Sequence, residues 1–254
     1  MSLWPPLLAS FAASIAALIA SMMIVLIGRR AERAAVWLLS FAVGTLIGAA
    51  ALVLLPEALE HVSAERAMPF FAGSIVVFIA FERVLRWRHT HEHEDDHDYE
   101  HHPVVPSTAI VILWGDALHN FVDGIIIGVA FRVSTELGIA TAVAIFAHEL
   151  PQEIGDFCVL LASGMKKGRA ILLNYLAAAT IMPGALLASM WRFESDEPIG
   201  ILLAIAAGGF LYIALADLVP SLHHRRGRWA AAGQLGLVVA GMATIALLHE
   251  FRGH

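Results

Sequence analysis

Two short stretches of this chain gather side chains that can hold a cation. The first reads Gly115-Asp116-Ala117-Leu118-His119-Asn120-Phe121-Val122-Asp123-Gly124, and the second His148-Glu149-Leu150-Pro151-Gln152-Glu153-Ile154-Gly155-Asp156. Residues three or four apart on a helix share a face, so Asp116, His119 and Asp123 form one polar stripe. In the second stretch His148 stands over Gln152 and Asp156, and Glu149 over Glu153. Imidazole nitrogen combined with carboxylate and amide oxygen suits zinc, iron(II), manganese or cobalt. Soft copper(I) wants thiolates or thioethers, which Cys158 alone cannot supply.

Polar residues in helical bundles also build hydrogen-bond networks between helices, and for a lone histidine that role would suffice. Two histidines with several carboxylates are different, because burying them without a cation would place like charges together at a cost no network repays. Gly124 and Gly155 are expected to permit close backbone approach, and Pro151 to free the Ala147 carbonyl as a further ligand or to kink its helix. His148-Glu149 also opens the HExxH pattern of zinc proteases, but Gln152 stands where the second histidine belongs. An intramembrane metalloprotease, and a metal-binding membrane protein that moves no ion, are the alternatives to a transporter.

The elements that must position these stretches are apolar. Of 254 residues, 59% are hydrophobic and 15% charged, and mean hydropathy is +0.74, whereas soluble domains use roughly 45–50% apolar residues. Eight runs are long enough to cross roughly 30 Å of hydrocarbon: 6–27, 34–56, 68–85, 107–131, 135–164, 169–191, 199–220 and 229–248. The predicted fold is therefore an all-α integral membrane protein with eight transmembrane helices in one membrane transport domain, 1–254. The polar stretches fall in the fourth and fifth runs, where each ionisable residue costs roughly 2.5–3.5 kcal/mol on insertion scales. The first run has no basic flank before it and ends at Gly28-Arg29-Arg30 rather than at a small-residue cleavage site, so it reads as a retained helix and not a signal peptide. A single cysteine excludes an internal disulfide.

Basic residues flanking spans stay on the cytoplasmic side. Arg29, Arg30, Arg33, Arg83, Arg86, Arg88, Lys166, Lys167, Arg169, Arg225, Arg226 and Arg228, 12 of the 16 Lys and Arg, follow the odd-numbered runs. Both termini are thus expected outside a cell membrane, such as a bacterial inner membrane. The insert at 88–105 has no aliphatic residue over 89–102 to build a core and reads as a disordered cytoplasmic loop. Its six histidines, His89, His91, His93, His97, His101 and His102, alternate with carboxylates and are expected to bind zinc-like ions weakly. The net charge of -6 comes largely from this loop and signals no partner. The expected partners are metal ions, the lipid bilayer and a second copy in a homodimer, with no nucleic acid. No internal repeat is legible.

The pair HNFVDG and HELPQEIGD closely resembles the signature of the Zrt/Irt-like, or ZIP, metal transporters, and Gly209–Pro220 resembles the seventh helix of one of their subgroups. The resemblance implies a ZIP-like bundle with external termini and a histidine-rich loop after the third span. It implies inward transport of zinc or iron(II), with manganese, cobalt or cadmium as further substrates, and no resident cofactor. It also implies a first metal position of His119, Asp123, His148 and Gln152, and a second of Asn120, Glu149 and the shared Asp123. Asp116, Glu153, Asp156 and Asp217 would line the approaches. Three departures leave the number of metals open: Gln152 replaces a histidine, the second span is apolar over 49–53, and no carboxylate stands near Met182-Pro183-Gly184.

Overall fold

A computed structural model describes residues 3–90, 106–191, 195–222 and 228–250, and all regular structure among them is helical. The helices are α1 (Trp4–Ile27), α2 (Arg29–Gly48), α3 (Leu55–His61), α4 (Ala64–Thr90), α5 (Pro106–Val133), α6 (Thr135–Ala162), α7 (Lys167–Ala178), α8 (Ile181–Met190), α9 (Glu197–Tyr212), α10 (Val219–Leu222) and α11 (Arg228–Glu250). Among the described residues, six stretches are long and apolar enough to cross a membrane: Trp4–Ile27, Ala34–His61, Ile112–Val133, Lys167–Met190, Glu197–Ala216 and Ala230–Glu250. The chain is thus an all-helical, multi-pass membrane protein. Two further helices have the length to span: α4, of 27 residues, and α6, of 28. α6 is depleted in hydropathy by Glu136, Glu149, Glu153 and Asp156.

Several predicted boundaries shift for local reasons. The second run continues past residue 56 to His61, because a π-helical segment, Ala49–Leu54, joins α2 to α3. A second π-helical segment, Ile213–Leu218, joins α9 to α10. Each is followed within two residues by a proline, Pro56 or Pro220. Proline lacks the N–H that the turn before it would use and crowds that turn's carbonyl, which the wider π turn accommodates. The sixth run is two helices instead of one. Pro183 cannot donate to the Ala179 carbonyl, so the chain turns at 179–180 and restarts as α8. Thr180, in that turn, is tied to α5 through its hydroxyl, 2.6 Å from the Ala117 carbonyl. α4 extends through Thr90, three residues into the predicted insert; 91–105 lie outside the described residues.

Packing centres on α6, which touches α1, α2, α5, α7 and α11. The core there is rich in small residues, among them Ala16, Ala17, Ala42, Ala50 and Ala144, as expected where van der Waals fit rather than water exclusion draws helices together. α5 lies against α8 with no room for side chains: a Cβ on Gly124 would collide with the Ile181 carbonyl, and one on Gly184 with the Phe121 carbonyl. Gly124 thus plays its predicted role. Gly155 does not, since a Cβ there would meet nothing within 4 Å.

A candidate metal centre between α5 and α6

α5 and α6 form a hairpin with only Ser134 between them. The Ser134 side chain accepts a hydrogen bond from Leu137 N at 3.1 Å and starts α6. The hairpin sets the register. His119 lies 14 residues before Val133, and His148 13 residues after Thr135, so both sit about 20 Å from the turn at 1.5 Å per residue. That is half-way along two 28-residue helices.

There the two rings face each other, with His119 Nε2 3.3 Å from His148 Nε2. Asp123 Oδ2 is 3.2 Å from His148 Nε2 and 3.8 Å from His119 Nε2. Glu149 Oε1 lies 3.4 Å from both nitrogens. One ligand atom from each of these four residues falls within 4.8 Å of all the others. His148 and Glu149 are buried, as is Asp123, while the His119 side chain keeps 19% of its surface. His148 Nδ1 sits 3.1 Å from the Ala144 carbonyl, one turn back. A carbonyl can only accept, so Nδ1 carries the proton and Nε2 turns its lone pair on the group. An outer hydrogen bond of this kind fixes a metal-binding imidazole in tautomer and direction. Phe210 of α9 backs the His148 ring edge-on, at a centroid distance of 6.0 Å.

The carboxylates are close to the rings yet poorly served by them. Asp123 Oδ2 and both oxygens of Glu149 are buried and accept no hydrogen bond of sound geometry. A buried carboxylate oxygen without a donor is costly, and a cation among the four residues would relieve it. His119 and Asp123 also form part of the wall of a cavity of about 440 Å³ between α4, α5 and α9. Every other lining residue is apolar, including Val77, Phe78, Leu118 and Leu203.

One turn farther from the hairpin stands a second group. Asp116, Glu149 and Glu153 each bring a carboxylate oxygen within 4.8 Å of the others, and all three are buried. Asn120 Nδ2 donates to Asp116 Oδ1 at 2.9 Å and to the Asp116 carbonyl at 3.2 Å. Asn174 Nδ2 of α7 donates to Glu153 Oε2 at 2.5 Å.

The structure therefore brings His119, Asp123, His148 and Glu149 together and places Asp116, Asn120 and Glu153 beside them. Gln152 is half-buried one turn beyond His148, and Asp156 is half-buried two turns beyond it, within Coulombic reach of Asp116 and Glu153. The side chains of Asp217 and His89, and the remaining histidines of the insert, His91, His93, His97, His101 and His102, lie outside what the structure describes. Sequence reasoning missed two polar residues. Asn174 belongs to the run 169–191, from which no site residue was expected. Glu57 of α3 is buried, 3.5 Å from His61 one turn on.

Residues 86–249 match the family of ZIP zinc transporters. Because that match covers well over half of the sequence, the chain belongs to the ZIP family, whose members are transporters and not enzymes. It is 41% identical over 120 residues to zinc transporter ZIP10 of Danio rerio, covering 47% of this chain and 14% of that protein. It is 45% identical over 112 residues to human zinc transporter ZIP4, covering 44% of this chain and 17% of that protein. Human ZIP6 is 41% identical over 120 residues, 47% of this chain and 16% of that protein. The chain thus matches less than a fifth of the length of these relatives.

Proposed function

We propose that this chain carries divalent transition-metal ions, zinc foremost and iron(II), manganese, cobalt or cadmium with lower preference, across a cell membrane toward the cytoplasm. The observation that carries this reading is the convergence of His119, Asp123, His148 and Glu149 at the middle of α5 and α6, with buried carboxylate oxygens that accept no hydrogen bond of sound geometry. Membership in a family of zinc transporters supports the same substrate class.

On this reading α4 and α6 complete eight spans, both termini lie outside, and the histidine-rich insert is cytoplasmic. An ion from outside exchanges its water for the His119, Asp123, His148 and Glu149 ligands, with the Gln152 amide oxygen as a further neutral ligand. The cavity beside His119 separates α5 from α4 and α9 and supplies the free volume for α5 and α6 to slide as one body against those helices. An inside-negative potential favours inward passage of a doubly charged ion by about 4.6 kcal/mol per 100 mV, twice the single-charge value. Competition uptake in liposomes by zinc, iron(II), manganese and cadmium is the test. Saturable uptake with zinc as the strongest competitor is expected; uptake no greater than in protein-free liposomes for all four ions overturns the proposal.

A further inference from the structure

We propose that the cavity between α4, α5 and α9 binds one acyl tail of a membrane phospholipid, which enters from the bilayer and reaches as far as His119. The lining runs from Leu118 to Val129 along α5 and from Leu202 to Ile213 along α9, about 16 Å of each helix at 1.5 Å per residue. Both stretches fall inside membrane spans, Ile112–Val133 and Glu197–Ala216. A space this long, with a volume of about 440 Å³, is far larger than the voids that close-packed interiors keep, and its apolar walls give water too few partners. An extended hydrocarbon chain follows such a strip, whereas a compact apolar molecule would leave much of it empty. Continuity with the lipid-facing surface identifies the occupant. At the mouth, Val77 of α4 and Leu118 and Val122 of α5 are exposed apolar residues; at the back, Leu203, Ala206 and Phe210 of α9 are buried. The one carboxylate in the lining, Asp123, repels a phosphate, so the head group stays at the membrane surface and the tail alone enters.

A tail leaving hydrocarbon for this cavity gains no hydrophobic free energy, because both surroundings are apolar. What holds it is van der Waals contact with walls that otherwise face nothing. The role of the tail rests on the transport reading above, while its binding does not. In place, it shields the cavity side of His119 and Asp123 from water. It also fills the room that α5 needs to move against α4 and α9, and a tail can withdraw where a protein side chain cannot. The tail is thus a displaceable spacer, and an aromatic ring fixed in the same space blocks the movement.

The test places the full chain in bilayers of phosphatidylethanolamine that carries a photoreactive diazirine near the end of one acyl tail, and maps the labelled residues by mass spectrometry. Labels on the buried Leu203, Ala206 or Phe210 are expected beside labels on the exposed Leu118 and Val122. Ile126 of α5 and Ile205 of α9 are half-buried in the lining, so Ile126→Phe and Ile205→Phe each push a ring into the cavity. Both variants should lose the buried labels and keep those on Leu235 and Val239, exposed on α11, which shows that they fold and insert. Both should also lose zinc uptake. Labels confined to exposed residues in the wild type, or buried labels that persist in both variants, overturn the acyl-tail site and leave the transport reading standing. Buried labels lost with zinc uptake unchanged overturn the spacer role. Buried labels in a wild type that takes up no zinc overturn the transport reading and support the tail site alone.

Discussion

His119 Nε2 and His148 Nε2 approach to 3.3 Å from opposite helices of one hairpin. The Ala144 carbonyl holds the His148 proton on Nδ1, so two ring nitrogens and two carboxylates are turned on one point. A single proton shared by the rings leaves the Glu149 oxygens unserved, whereas a divalent ion would serve all four residues at once.

Asp123 is the one carboxylate near both rings that belongs to α5. Asp123→Ala is expected to reduce zinc affinity about tenfold or more, with insertion and melting temperature little changed because the residue supplies charge and little packing volume. Isothermal titration of the purified variant checks it, and wild-type affinity would exclude Asp123 from the ligand set.

Gln152 offers a neutral amide oxygen one turn after His148. Oxygen is the harder ligand, so Gln152→His should raise apparent zinc affinity and depress manganese or iron(II) uptake relative to zinc. Competition uptake by both forms at fixed pH reads this out. An unchanged zinc-to-manganese preference would mean that Gln152 does not reach the ion.

The α5–α8 contact sets where His119 and Asp123 stand. Gly124→Ala puts a Cβ into the Ile181 carbonyl and should cost about 1–3 kcal/mol, the usual range for overpacking, with uptake lost as α5 shifts. Gly155→Ala meets nothing within 4 Å and should be neutral or slightly stabilising. Thermal melts in detergent distinguish the two, and equal melting temperatures would contradict the packing argument.

Deleting residues 91–102 should remove weak zinc binding outside the membrane domain and leave uptake intact, because the histidine group lies within α5 and α6. Abolished uptake would make the insert part of the path.

Much of the site was readable in the residues, because the HNFVDG and HELPQEIGD stretches carry their ligands at helical spacing and the hairpin aligns them. Counting outward from Ser134 would have paired Asp116 with Glu153 as well. The Asn174 contact could not be read this way: it depends on α7 folding back beside α6, which no local spacing encodes. The difference between Gly124 and Gly155 likewise lies in what stands opposite each, not in the sequence around it. The helix break at 179–180 had a visible cause in Pro183, yet hydropathy alone merges α7 and α8 into one run. The two π-helical segments leave only Pro56 and Pro220 as their trace, since apolar composition does not distinguish a wide turn from a regular one.

The most direct measurement is zinc uptake into liposomes containing either the wild-type chain or His119→Ala, under an inside-negative potential, with equal reconstitution confirmed for both. The account predicts saturable inward uptake by the wild type and only the protein-free background for His119→Ala. Equal uptake by the two would contradict a transport site at the His119–His148 group.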